Sequence, residues 1–189
     1  MESEQPKWPA IFFDRDGVIN EPPSIEQRYL TRWEDFRFVP GMPRVLAKVK
    51  ARGYRTILIT NQQGVGKGIM TMAELTTIHE MMQATLAKQG AAFDAIYVAT
   101  GLADEDARRK PSPAMLLEAA EEHAIDLARS WFVGDHDNDM RAGQLAGVGT
   151  IRVEGLKRIK VTSDYQVYDA GELWQVLEAL TLKSCLSSD

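Results

Sequence analysis

Residues 10–20, AIFFDRDGVIN, open on four apolar side chains and then set two carboxylates, Asp14 and Asp16, on either side of Arg15, with Gly17 just behind. A short unbroken apolar run closed by a turn signal predicts a strand buried on both faces, as in a parallel sheet covered by helices. Carboxylates are costly to bury, so two of them at the carboxyl end of such a strand need a chemical reason. Four further runs follow the same plan: RTILIT at 55–60, AIYVAT at 95–100, SWFVGD at 130–135 and GTIRV at 149–153.

Amphipathic stretches separate these strands. Residues 43–52 suit a first helix. Thr71 followed three residues later by Glu74 forms a capping signature ahead of an apolar stripe of Leu75, Ile78, Met82 and Leu86, with Gly90 as the stop. Ser112 and Pro113 stand where a third helix begins, as cap and first residue. Residues 139–146 form a fourth, and a last opens at Asp169 and buries Leu173, Val176, Leu177 and Leu180. The expected fold is α/β, a doubly wound (Rossmann-like), mainly parallel sheet of about five strands flanked by helices. Right-handed crossovers then collect ligands at the carboxyl ends of the strands. A single domain over 1–189 is expected, with its core at about 9–181 and polar termini.

Composition narrows the partners. The 189 residues carry a net charge of −5, which disfavours a general nucleic-acid or anionic-membrane surface. No apolar run has the length of a membrane span, and the polar, acidic start MESEQPKWPA lacks the order of a signal peptide. A cytoplasmic location and a monomer are the expectations. Cys185 is the only cysteine and lies in the polar stretch KSCLSSD, so no disulfide or cysteine-based zinc site forms within one chain.

The polar residues that remain cluster where a doubly wound sheet binds ligands. Asp14 and Asp16 follow the first strand, Thr60 and Asn61 the second, Lys110 precedes the third helix, and GDHDND (134–139) follows the fourth strand. This set suits attack on a phosphate ester. Asp14 can serve as nucleophile, and Asp16 can protonate the leaving alkoxide and later deprotonate water. Asp14, Asp16 and Asp135 offer oxygen ligands for Mg²⁺, with Asp139 nearby as an added ligand or support. Thr60, Asn61 and Lys110 can hold the phosphoryl oxygens.

In these residues the sequence resembles the haloacid dehalogenase superfamily of phosphotransferases, over about 9–155. Its four signature segments stand in order: DRDG at 14–17, ITN at 59–61, RKP at 109–111 and GDHDND at 134–139. The resemblance implies Asp14 as nucleophile, Asp16 as acid/base and metal ligand through its carbonyl, Thr60 and Lys110 on the phosphate, and Asp135 on Mg²⁺. FFDRDGVIN, YLTRWEDFRFVPGM and TNQQGVGKG are most similar to the branch holding heptose-bisphosphate 7-phosphatases and histidinol-phosphatases, which has no large cap domain. The resemblance to that branch implies a Mg²⁺-dependent phosphomonoesterase of a small phosphorylated metabolite, a sugar phosphate first. One departure stands out. That branch carries a zinc loop of cysteines and a histidine before the lysine, whereas 97–110, YVATGLADEDARRK, has neither, so no zinc is expected. VAT…RKPSPAM is similar to polynucleotide 3′-phosphatase domains, which supplies the alternative substrate.

Other residues divide between chemistry and packing. NQQGVGKG (61–68) fails as a nucleotide loop, lacking glycine at Asn61 and a hydroxyl at Gly68. It is either a flexible turn or a loop beside the site with Gln62 or Lys67 on substrate. Arg109 either grips a second anionic group or is solvated. His79 belongs to helix packing, and His136, directly after Asp135, is a candidate to touch substrate or to support the metal ligands. Strand alternation turns Arg15 away from the acids. DEDARR (104–109) is an exposed loop of mixed charge. A signalling receiver domain shares the fold, but it has no use for an acid two residues beyond its phospho-acceptor, so the enzyme is the expectation.

Overall fold

The computed structural model describes residues 7–24, 26–102, 105–154 and 160–186. Six strands form one all-parallel sheet: β1 (Ala10–Phe13), β2 (Arg55–Asn61), β3 (Ala95–Ala99), β4 (Trp131–Gly134), β5 (Gly149–Val153) and β6 (Tyr165–Val167), in the order β3-β2-β1-β4-β5-β6. The chain starts in the middle, winds to one edge and returns to lay β4 against the free side of β1. Connections therefore diverge between β1 and β4, and a crevice opens at their carboxyl ends.

Alternation along β1 sorts the core into two layers. Ile11 and Phe13 pack with α1 (Met42–Ala51), α3 (Met72–Ala87) and α6 (Ala170–Leu186). Ala10 and Phe12 pack with α4 (Ala114–Glu122) and α5 (Asp137–Ala146) on the other face. All four β1 side chains are fully buried, as a central parallel strand requires. Thr71 and Glu74 make the expected reciprocal cap on α3. Asp169 accepts from the N–H groups of Gly171 and Glu172 and starts α6.

Three elements differ from expectation. The sixth strand, YQV, is an edge strand with two of its three residues exposed, so it carries almost no apolar signal. A single helical turn, α2 (Gln63–Gly66), stands where QGVG promised only a loop. The fourth helix starts two residues early, because His136 and Asp139 cap it reciprocally. Helix α6 continues past the expected core end at 181 to Leu186, while Asp104 of the DEDARR stretch and the side chain of Cys185 lie outside the described residues. Between β1 and α1 there is no added domain. A strap there pairs Asn20 with Phe38 and stacks Trp33 on Phe36 with ring centroids 4.9 Å apart. Because Leu173 is fully buried where α6 meets the sheet, Leu173→Ala is expected to cost about 3 kcal/mol, seen as a lower urea midpoint with an unchanged slope.

Candidate active site

The strand ends deliver their polar side chains to one cleft of about 190 Å³, whose wall includes Asp14, Asp16, Thr60, Asn61, Arg109, Lys110 and Asp135. Asp14 leaves β1 on the α4–α5 side, the same face as Phe12, and there it meets Lys110. The ammonium lies 2.8 Å from Asp14 Oδ1 and 2.7 Å from Asp139 Oδ1, and it also donates to the Ile59 carbonyl at 2.9 Å. Asp14, Asp135 and Asp139 each offer an oxygen within 4.8 Å of the others.

Two glycines make this crowding possible. Gly17 holds φ at +91°, and a Cβ there would come within 2.6 Å of Asp135 Oδ2. A Cβ at Gly134 would overlap the Asp139 side chain. Arg152, buried on β5, fixes the loop that follows Gly134. Its guanidinium donates to Asp137 Oδ1 at 2.7 Å, to the Val161 carbonyl at 2.9 Å and to the Asp135 carbonyl at 3.4 Å.

Asp16 is held quite differently. Arg15 Nη2 lies 3.0 Å from both of its oxygens, Asn20 Nδ2 donates to Oδ1 at 2.9 Å and Gln62 Nε2 to Oδ2 at 2.9 Å. Its side chain keeps 28 % exposure, towards the cleft. The expectation that Arg15 turns away from the acids is therefore wrong for Asp16. β1 ends at Phe13, so period-two alternation lapses in the turn that follows, and Asp16 folds back onto the guanidinium.

Asn61 and Gln62 also depart from simple phosphate or substrate contacts. The Asn61 amide clamps Lys110, accepting from its N–H at 3.0 Å and donating to its carbonyl at 3.1 Å. The Gln62 amide is spent on Asp16, Thr60 and Arg15, and Gln62 lines an adjoining cavity rather than the cleft itself. His136 caps α5 through Nδ1, which accepts from Asn138 N–H, at the edge of the cleft. Lys67 donates to the Tyr29 hydroxyl at 3.0 Å. Asn20, the depth of Asp139 and the Arg152 clamp were not foreseen. Each depends on a contact with residues that are remote in sequence or folded back by a turn.

Electrostatics separate the two acids. Burial, with Asp139 and Asp135 adding to it, pushes the Asp14 carboxyl up to about 7 despite the Lys110 ammonium. Burial also acts to raise Asp16, but the Arg15 cation and the bonds from Asn20 and Gln62 outweigh it and hold that carboxyl below its ordinary value. Burial alone would lower Lys110, yet Asp139 and Asp14 hold its pKa above the usual lysine value. A cluster of three carboxylates suits a hard cation that takes oxygen ligands. The residues thus fit a Mg²⁺ ion.

Comparison with known proteins accords with this geometry. The pattern of the haloacid dehalogenase-like hydrolases matches residues 25–147, which include the second, third and fourth polar clusters. The chain belongs to that family. It is a phosphatase of the superfamily. It is 41% identical over 141 residues to D-glycero-β-D-manno-heptose-1,7-bisphosphate 7-phosphatase of Helicobacter pylori, covering 74% of this chain and 79% of that protein. A D,D-heptose 1,7-bisphosphate phosphatase from B. bronchiseptica, complexed with magnesium and phosphate, superposes with a TM-score of 0.79 at 28% identity, over 90% of this chain and 98% of that one. A putative HAD-like phosphatase from Mesorhizobium loti gives 0.81, also at 28% identity, over 94% and 88%. Among the described residues no helix is long and apolar enough to cross a membrane.

The raised Asp14 carboxyl has a consequence for stability. Its folded pKa lies above the unfolded value of 3.8, so the folded state binds the proton more tightly and loses stability as pH climbs through that interval. In EDTA at pH 8, Asp14→Asn is expected to melt several degrees above the parent. The gap should close as pH falls towards 4, measured by thermal melts across pH.

Proposed function

We propose that this phosphatase removes the 7-phosphate of a heptose 1,7-bisphosphate through an aspartyl-phosphate on Asp14. The observation that carries the reading is the position of Asp16 between two cavities. One is the acid- and lysine-lined cleft. The other, about 300 Å³, is bordered by Asp16, Arg28, Tyr29, Asn61, Gln62 and Gln63, and it suits a polar leaving group of sugar size. A carboxyl at that boundary can reach the bridging oxygen of an ester that spans both. The heptose assignment draws on the relatives, and a second phosphate has a candidate partner in Arg109. That residue lines the cleft, and its buried Nη1 has no hydrogen-bond partner among the described residues.

The steps follow from the residues. An Asp14 oxygen attacks phosphorus while the ester P–O bond breaks, and Asp16 passes its proton to the departing alkoxide. Water then attacks the acyl phosphate, Asp16 takes its proton, and the P–O bond to Asp14 breaks to release phosphate. Thr60 Oγ accepts from Gln62, which leaves its own proton for a phosphoryl oxygen. The Lys110 ammonium lies beside Asp14 throughout and offsets charge on the phosphoryl group. Mg²⁺, held by Asp14, Asp135 and the Asp16 carbonyl, would offset charge on both nucleophile and phosphate.

Polar contacts among the described residues tie the loop before Lys110, which supports the reading without zinc. Asp106 accepts from the N–H groups of Gly101 at 3.0 Å and Arg108 at 2.9 Å, and Arg108 pairs with Glu118 on α4 at 2.7 Å.

A Mg²⁺-supplemented panel of both heptose 1,7-bisphosphate anomers, other sugar phosphates, histidinol phosphate, nucleotides and 3′-phosphorylated oligonucleotides tests the substrate. The bisphosphate is expected to have the highest kcat/KM, and a preference for the oligonucleotide would overturn the assignment. Asp14→Asn is expected to lose more than about 10⁴-fold in kcat and to form no phosphoenzyme. Arg109→Ala is expected to raise KM for the bisphosphate more than for a monophosphate. Elemental analysis is expected to find no stoichiometric zinc, and EDTA to abolish activity without unfolding the protein.

A further inference from the structure

Behind Asp16 lies a polar chain that the reaction steps do not use. Arg15 is a wholly buried cation, and its guanidinium spreads over three partners. Nε and Nη2 engage Asp16 at 3.0–3.3 Å, Nη2 also reaches Gln62 Oε1 at 3.0 Å, and Nη1 lies 3.2 Å from Nε2 of His79 on α3. His79 itself is 8 % exposed. We propose that Arg15 and His79 are positioning residues for proton transfer by Asp16, with His79 fixing the guanidinium fork and the fork fixing the carboxylate. The proposal rests on the reading of Asp16 as the acid and base.

The chemistry at each link supports it. An arginine N–H can only donate, so Nε2 of His79 accepts and the ring proton resides on Nδ1. Burial and the adjacent Arg15 cation drive the imidazole pKa down to about 3, against a smaller pull from Asp16, so the ring is a neutral acceptor across the working pH range. Neutrality matters here. A carboxylate in this place would compete with Asp16 for the guanidinium, and an apolar side chain would leave a buried N–H without a partner. A neutral acceptor satisfies Nη1 while leaving the charge of Arg15 directed at Asp16. Asn20 and Gln62 then hold the two carboxylate oxygens from other directions, so the group facing the cleft has little rotational freedom. Helix packing alone explains the burial of His79. It does not explain an imidazole nitrogen aimed at a guanidinium that grips the proton donor.

A leaving-group series separates positioning from packing. The Mg²⁺-loaded, full-length enzyme is assayed on phosphate monoesters from 2,4-dinitrophenyl through phenyl to alkyl and sugar phosphates. kcat/KM reports steps up to the first irreversible one, so it isolates protonation of the leaving group. Asp16→Asn serves as the reference and is expected to steepen the dependence on leaving-group pKa. His79→Leu is expected to lose about 10²-fold in kcat/KM on alkyl and sugar phosphates and about threefold or less on the dinitrophenyl ester. The latter substrate should then show a burst of dinitrophenol, because Asp16 also activates the water of the second step. His79→Gln supplies a neutral carbonyl acceptor and is expected to restore most of the loss, while Arg15→Lys, which keeps the charge but not the fork, should behave as His79→Leu does. Should His79→Leu not fold, the Gln and Lys variants carry the comparison. Equal losses across the whole series, or a parent-like slope in His79→Leu and Arg15→Lys beside a steep one in Asp16→Asn, would overturn the positioning role. A flat response in Asp16→Asn itself would instead remove the acid/base reading beneath it.

Discussion

Lys110 is the cation on which the acid-lined cleft is built. Three carboxylates crowd within 4.8 Å at the end of a fully buried strand, and a single ammonium bridges two of them while anchoring to the carbonyl of Ile59. Removing the Lys110 ammonium would leave these buried carboxylates without their cation, a defect of about 3–5 kcal/mol. The surrounding contacts serve this placement. Asn61 clamps the Lys110 backbone on both sides, Arg152 fixes the loop from Asp135 to Asp137, and Gly17 and Gly134 yield the space that two aspartates occupy.

Asp14 and Asp16 are displaced in opposite directions, each against the role the proposed mechanism gives it. In the proposed mechanism the nucleophile must be ionised, yet Asp14 is the acid pushed up towards neutrality. A divalent cation reverses that logic, since it favours the carboxylate it binds and repays the charge crowding that raised the pKa. The excess negative charge of the three carboxylates is thus an electrostatic basis for holding a divalent cation. Asp16 has the converse problem under the proposed mechanism, because Arg15 holds ionised a carboxyl that this mechanism requires to donate a proton first. An arriving phosphate dianion raises the pKa of a neighbouring carboxyl by like-charge repulsion, which moves Asp16 towards the protonated form when a substrate is bound.

How much of this was legible in the sequence depends on how local each cause is. Five strands were legible because buried parallel strands are continuous apolar runs, and α3 and α6 because their caps are encoded within four residues. β6 was not, since a three-residue edge strand with two exposed positions has no periodicity to detect. The residues gathered around the cleft followed from topology, as every strand of a doubly wound sheet delivers its carboxyl end to one edge. The division of labour among them did not. Asn61 and Gln62 looked like ligand-facing amides, but both spend their amides on neighbours distant in sequence, Lys110 for one and Asp16 for the other. Arg15 was misjudged because alternation was carried two residues beyond the end of β1, into a turn where it no longer applies.

The two clamps enter the site from opposite layers of the fold. Arg152, Asp137 and Asp139 belong to β5 and α5, whereas His79 reaches Arg15 from α3 across the other face of the sheet. The Asp14–Asp139 cluster and Asp16 are therefore braced mainly from opposite faces of the sheet, with Gln62 joining Asp16 to Thr60 at the end of β2. The cavity proposed for the leaving group is built otherwise, from the strap after β1 and the turn that follows β2. Loops on a rigid scaffold tolerate change far better than buried ionic networks do. On the proposed reading, such an arrangement would let the leaving group vary while the phosphoryl chemistry stays fixed.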